Sequence, residues 1–469
     1  MPPSSRPPVL FLVLDSMRTD RLSLYGHDRQ TTPALDELAQ RATVYENAVV
    51  PASWTLPSHC SMFTGLPPSA HGVTNGFLDA TGALRLPDGQ RPLARSMADR
   101  GYRTAGFSNN PWVGQLSGLD AGFEEYVEWN LEISADGGTD IHSRRDRLYA
   151  NGHSLLGHAS RQPLFLLKRR FFTSSLVERA NRWLSAIGDR PGDVPFAFLN
   201  LMEAHSPYFP PRSAFRELGL RVPGPIEPRL LNTRLLAYVM GKSALDEERR
   251  QRVLEYYDAS LRYQDRKVGE LLSAFEAAVD LDEALVVICA DHGKTLGEYD
   301  RDATPPHYLR DINVTVPLVV KYPGQTAGRR VDDVVELRRL SDLIRAGGAT
   351  PLERLTEPDS DEEQYAVVEE YIPHTGRERE AVTRWRALVG REYKFLRSDD
   401  GQRFLVERGA AGTRERLVDD PALERDLAAE LDARTEGLQA VAEPGSGNDA
   451  TSEPLESDVE AQLEDLGYL

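Results

Sequence analysis

Short apolar runs alternate with amphipathic stretches over residues 1–325. Val9-Leu-Phe-Leu-Val-Leu14 and Leu285-Val-Val-Ile-Cys-Ala290 have no polar position on either face, the pattern of parallel strands buried on both sides. Phe196-Ala-Phe-Leu-Asn-Leu201 and Val316-Pro-Leu-Val-Val-Lys321 read likewise, and Pro317, which cannot donate to a ladder, predicts an edge or a bulge. Between them Pro33–Arg41, Leu93–Arg100 and Glu248–Ala278 have helical spacing, the last with Val253, Tyr257, Leu261, Val268 and Phe275 on one face. Strand–helix alternation predicts a doubly wound α/β sheet and puts any site beyond the carboxyl ends of its strands.

The pattern weakens over about 137–245, an Arg-rich stretch that predicts a helical insertion over the sheet. After Gly324 the strands shorten, to Tyr365–Glu370 and Arg386–Leu396, and a helix follows over Pro421–Arg434. The chain is therefore divided into a main domain over 1–335, a smaller α+β subdomain over 336–435, and an acidic linker with a short terminal helix over 436–469.

Composition narrows the picture. With 469 residues, 40% of them apolar, the chain can bury a sizeable core and is not a disordered protein. No run reaches the ~18 apolar residues of a membrane span. Nor does a signal-like apolar segment precede Val9, so a cytoplasmic location is expected. Acidic residues outnumber basic ones 73 to 55, for a net charge of −18, which argues against nucleic acid as a partner. Nine of the acidic residues lie in the last 34 positions, and only six of the basic residues are lysine. That balance fits a high-salt (halophile) cytoplasm or a GC-rich genome. Two cysteines, Cys60 and Cys289, form no disulfide framework or metal knuckle.

Three polar clusters fall at strand ends: Asp15 after the first run, Asp291-His292-Gly293 after Leu285–Ala290, and Trp54-Thr55-Leu56-Pro57-Ser58-His59 in a loop before an apolar helix. Asp15 alone would be unremarkable. A carboxylate and an imidazole buried side by side need compensation, and a divalent cation supplies it. Asp15, Asp291, His292 and the Thr55 hydroxyl make a mostly oxygen site for one ion. Such a donor set suits Ca²⁺, Mg²⁺ or Mn²⁺, and its imidazole permits Zn²⁺. The competing reading is a metal-free polar cluster capping two strands.

Leu14-Asp-Ser-Met-Arg-Thr-Asp-Arg-Leu-Ser-Leu-Tyr-Gly26, followed by Thr32-Pro-Ala-Leu-Asp-Glu-Leu-Ala39, resembles the opening of the sulfatase branch of the alkaline-phosphatase superfamily. Thr55-Leu-Pro-Ser-His-Cys-Ser-Met-Phe-Thr-Gly65 with His71-Gly-Val73 is similar to that family's active-site signature. Ala204-His-Ser-Pro-Tyr208, Ala290-Asp-His-Gly293 and His307 ahead of Val316-Pro-Leu318 follow in the family's order. The resemblance implies an alkaline-phosphatase-like sandwich, with a large mixed, mostly parallel sheet flanked by helices and a smaller C-terminal α+β subdomain. It makes residues 1–335 the catalytic domain of an ester hydrolase.

The departures carry chemistry. Sulfatases read Cys-x-Pro-x-Arg, and that Cys becomes formylglycine; here the two positions are Thr55 and His59, so no formylglycine is expected. Cys60 lies five positions late and reads as a small apolar residue behind the site. The Thr55 hydroxyl would be the nucleophile, activated by the ion. A sulfated formylglycine hydrate releases its sulfate by collapsing to the aldehyde. A threonine ester has no such exit and needs in-line attack by water, which leans the substrate towards phosphate or phosphonate esters. By position, the resemblance makes His205 a leaving-group acid or anion ligand and His307 an anion ligand, and it sets His59 with them to hold the anion or protonate the leaving group. Lys294 either touches the anion or faces solvent, and Asn75 and Asn110 are candidate anion donors, although loop Asn residues often only form turns. Ser16 stands where many relatives have a second Asp ligand, and no further Asp-x-x-x-His pair supports a second metal, so the resemblance implies one divalent cation, Ca²⁺ first, with Mn²⁺ or Zn²⁺ as alternatives. The expected substrate is a small-molecule or glycan anionic ester. The alternatives are a phosphoryl or headgroup transferase of the same superfamily and a catalytically idle binding protein. Oligomeric state is left open.

Overall fold

The computed structural model describes residues 6–74, 84–128, 176–190, 192–239, 241–298, 307–356, 364–373, 382–409 and 415–436. The expected C-terminal helix and Asn75 fall outside them. Eight strands form the main sheet: β1 Val9–Leu14, β2 Thr43–Val49, β3 Arg103–Ser108, β4 Glu125–Glu128, β5 Pro195–Leu201, β6 Leu285–Cys289, β7 Thr315–Lys321 and β8 Arg329–Glu336. Their order is β4-β3-β5-β1-β6-β7-β2-β8, and only β7 runs against the rest. β1, β5 and β6 are buried along their whole length, which is why β1 and β6 read as unbroken apolar runs and β5 as one interrupted only by Asn200. The expected insertion over about 137–245 needs correction: it contains β5, a central strand paired with both β1 and β3.

β7 lies inside the sheet, between β6 and β2, so the edge reading of Pro317 fails and the bulge reading holds. The ladder with β2 shifts register between Tyr45 and Ala48, opposite Pro317, so the missing N–H falls where no ladder partner is needed.

Helices cover the sheet: α1 Pro33–Leu38, α2 Thr55–Thr64 and the 32-residue α3 Glu247–Ala278, whose Asp246 cap accepts the Arg249 N–H at 2.9 Å. A second, antiparallel sheet of five strands follows: β9 Ala366–Pro373, β10 Val382–Val389, β11 Tyr393–Ser398, β12 Arg403–Glu407 and β13 Arg416–Leu417. The single strand expected over Arg386–Leu396 is a β10–β11 hairpin, turned at Gly390 to Glu392. Helix α4, Pro421–Thr435, packs Leu427 and Leu431 on Leu388, Phe395 and Leu405 of this sheet. Its other face is continuous with the main core through Val368, Trp385, Ala387 and Val406.

Candidate active site

The carboxyl ends of co-directional strands deliver the polar residues to one edge of the sheet. Asp15 follows β1, Asn110 follows β3, His205 follows β5, Asp291 and His292 follow β6, and the loop after β2 leads into Thr55.

Asp15 and Asp291 are both fully buried. Asp15 accepts from the Asn110 amide at 2.6 Å through Oδ2 and from the Ser16 hydroxyl at 2.8 Å through Oδ1. Asp291 Oδ1 accepts from the backbone N–H groups of Ser16 and His292 at 3.1 and 3.0 Å, whereas its Oδ2 has no hydrogen-bond partner. Burial, and then the charge of Asp291, push the Asp15 carboxyl above its ordinary value. His292 gives its Nδ1–H to the Gly293 carbonyl at 2.7 Å. That turns the Nε2 lone pair toward Thr55 Oγ1 at 3.2 Å, Asp291 Oδ2 at 3.6 Å and Asp15 Oδ1 at 3.9 Å. Ligand atoms of Asp15, Asp291 and His292 thus lie within 4.8 Å of one another with their lone pairs converging. The orphaned Asp291 Oδ2 and this oxygen-rich donor set fit a divalent cation, and Asn110, Ser16 and the Gly293 carbonyl orient the donors from behind.

Ser16 sits at φ 60°, a left-handed conformation that costs a side-chain-bearing residue on the order of 1 kcal/mol. Tyr257 of α3 clamps this turn, donating its O–H to the Ser16 carbonyl at 2.8 Å and accepting from the Arg18 N–H at 2.9 Å.

Thr55 is not in a loop but is the first residue of α2, fully buried, and Trp54 before it provides no side-chain cap. The uncapped, positive end of α2 therefore lies at the Thr55 hydroxyl. Ser58, one turn on, donates to the Asp291 carbonyl at 2.7 Å and ties α2 to the end of β6.

His59 is fully buried, its Nδ1–H held by the Thr55 carbonyl at 2.9 Å and its Nε2 by the Asn200 amide at 3.2 Å. Burial lowers its pKa to about 4. It is thus placed under Thr55; the anion contact expected from the signature would require one of these bonds to break. Asn110 likewise reaches the site with its amide nitrogen aimed at Asp15 and its oxygen at the Trp112 N–H, 2.9 Å away. His205 is buried with Nδ1 bound to the Ser206 carbonyl at 2.6 Å, and Lys294 Nζ reaches Ser206 Oγ at 2.7 Å, so these two side chains share a loop pair. His307 opens the short turn His307–Leu309; its side chain falls outside the described residues. Cys60 lies on α2, fully buried, and burial raises its thiol pKa.

Asn200, Ser58 and Tyr257 were not singled out by the sequence reading. Asn200 did carry a signal, as the one polar residue in the run Phe196–Leu201.

A family model described as Sulfatase matches residues 7–345. The chain is 25% identical to an ulvan-active sulfatase of Formosa agariphila, over 92% of this chain and 80% of that protein. It is 24% identical to human iduronate 2-sulfatase over 68% of this chain and 60% of that protein, less than two thirds of its length. In fold it is similar to the phosphonate monoester hydrolase of Silicibacter pomeroyi, with a TM-score of 0.63, 19% identity and coverage of 93% and 96% of the two chains.

Proposed function

Since this chain belongs to the sulfatase family, and is a sulfatase-like ester hydrolase, we propose that it cleaves a phosphate or phosphonate ester with Thr55 as nucleophile. The observation that carries this reading is Thr55 Oγ1, 3.2 Å from His292 Nε2 and beside two buried carboxylates.

Asp15, Asp291 and His292 would hold the divalent cation, with the Thr55 oxygen beside them; when bound, such an ion acts as a Lewis acid that favours the alkoxide and offsets oxyanion charge. The chain's own residues do the rest. The first turn of α2, tied through Ser58 to the end of β6, orients the Thr55 hydroxyl, and its uncapped end stabilises negative charge as it develops there. Thr55 Oγ1 gives up its proton to solvent and attacks phosphorus, forming the Thr–O–P bond and breaking the bond to the leaving alcohol. His205, with Nδ1 bound to Ser206, offers Nε2 as the atom that gives the departing oxygen its proton. Lys294, bound to Ser206, adds positive charge on the same side. Water then attacks phosphorus in line and releases Thr55.

A second reading, sulfated carbohydrate esters, is favoured by the names of the curated relatives, an ulvan-active sulfatase and an iduronate 2-sulfatase. The test is a hydrolysis panel on metal-stripped protein re-supplied with Ca²⁺, Mn²⁺, Mg²⁺ or Zn²⁺ in turn. The substrates are nitrophenyl sulfate, nitrophenyl phosphate, a phosphodiester and a phosphonate monoester. Turnover of phosphorus esters that falls at least about 10³-fold in Thr55→Ala is expected. Turnover of the sulfate alone, or an unchanged rate in Thr55→Ala, overturns the proposal.

A further inference from the structure

The loop that delivers Thr55 is held from the second sheet. Glu370 lies on β9, more than 300 residues along the chain from Thr55, yet its carboxylate accepts the Ser53 backbone N–H at 3.2 Å and also the Ser53 hydroxyl. Glu370 is 6% exposed, and residues 51–53 are buried with it. Its neighbour Glu369 continues the seam. The Glu369 N–H donates to the Pro51 carbonyl at 2.9 Å, and its side chain accepts the Ser69 N–H at 2.7 Å while pairing with Arg386 at 2.9 Å. β9 therefore grips the chain just ahead of α2 at two successive residues.

We infer that Glu370 is a positioning residue for the nucleophile, fixing Ser53 from the C-terminal sheet and thereby the entry of the chain into α2 at Thr55. The inference rests on the reading of Thr55 as nucleophile. Its physical basis is the lack of a side-chain cap on α2: Trp54, at the cap position, makes none, so the residues before it help set the direction of the first turn. A buried carboxylate accepting both donors of one serine fixes that residue's backbone and side chain together. Releasing Ser53 lets Thr55 Oγ1 move relative to His292. A displacement of about 1 Å in a reacting group can lower the rate on the order of 100-fold without altering binding.

The test uses the full chain, reconstituted with metal, and an ester it turns over. Glu370→Ala is expected to lower kcat on the order of 100-fold, with KM within about threefold. Glu370→Gln, whose amide oxygen can still accept from Ser53, should recover most of that loss. Ser53→Ala, which removes only the hydroxyl donor and leaves the β9 packing intact, should lose about fivefold in kcat and cost nothing further when added to Glu370→Ala. This variant keeps the inference open to refutation if Glu370→Ala does not fold. An independent readout is amide hydrogen exchange across residues 51–56, which should accelerate at least about tenfold in Glu370→Ala while residues 9–14 are unchanged. Exchange does not depend on turnover. If Thr55→Ala retains the wild-type rate, the nucleophile reading fails, yet exchange still decides whether Glu370 holds the loop. Folded variants with wild-type kcat and unaltered exchange overturn the inference, as does a loss confined to KM.

Discussion

His59 occupies the position one helical turn beyond Thr55, where its ring can reach back to the carbonyl of the nucleophile's own residue. A charged imidazole there would be stripped of water, and burial holds the group near pKa 4, so at neutral pH it is uncharged with Nδ1 protonated. The neutral ring then does what an always-charged guanidinium could not: it accepts from Asn200 while donating to Thr55. Replacing it by Ala leaves the Asn200 amide without that partner and opens a cavity beside Phe198, whose ring centroid lies 6.4 Å from the imidazole. His59→Ala is expected to cost about 3 kcal/mol in urea unfolding and to lower kcat more than it raises KM. A stability loss below about 1 kcal/mol would show that neither bond matters to the fold.

At the scale of elements, the site is a meeting of strand ends, and Gly293 shows how tight the meeting is. A Cβ built on Gly293 would lie 1.9 Å from the Ile312 carbonyl oxygen and 2.9 Å from its carbon, both backbone atoms that cannot step aside. The Gly293 N–H also bonds the Asn313 carbonyl at 2.8 Å, so the turn after β6 is pressed directly onto the segment that leads into β7. This is why Asp291 and His292 are followed by glycine. Gly293→Ala should displace both ligands, cost more than about 2 kcal/mol, and weaken metal binding measured by calorimetry; native stability with native metal affinity would refute the argument.

What was legible follows the same logic. β1, β5 and β6 announced themselves because strands buried on both faces are apolar at nearly every position, with Asn200 the exception in β5, and Asp15 and Asp291 were found because they end that pattern in β1 and β6. The start of α2 falls earlier than expected: the sequence puts Trp54–His59 in a loop, whereas the helix begins at Thr55 behind Trp54, a cap residue whose side chain gives no capping signal. The contacts of Glu370 and Tyr257 were invisible because they depend on how separate segments register in space. No local pattern encodes that.

At the scale of the whole molecule, the second sheet is fastened to the first by buried charge. Lys394 of β11 bonds Asp311 at 2.8 Å, Glu415 at 2.5 Å and the Leu309 carbonyl at 2.6 Å, and is itself fully buried. Arg408 completes the set, reaching Asp311 Oδ2 at 2.8 Å and Thr315 at 2.9 Å. This network ties the C-terminal sheet to the turn His307–Leu309 and to the start of β7. Burial alone would raise the Asp311 carboxyl, but Arg408 and Lys394 outweigh it and hold the group below its ordinary value of 3.8. A carboxyl depressed in the folded state stabilises it fully above the unfolded value, and that stabilisation is lost as pH falls below 3.8. Lys394→Met removes one of the two cations. It should cost about 3–5 kcal/mol at pH 7, because it leaves carboxylates buried with incomplete partners, and it should flatten the acid limb, since Asp311 then gains less from ionising. Adding Asp311→Asn to Lys394→Met should cost less than Asp311→Asn alone, as the two belong to one network. Urea midpoints for the four proteins at pH 7 and below pH 4 decide the matter. Additive losses with an unchanged acid slope would mean that the sheets are held by their shared apolar core and that the charges only fill the seam.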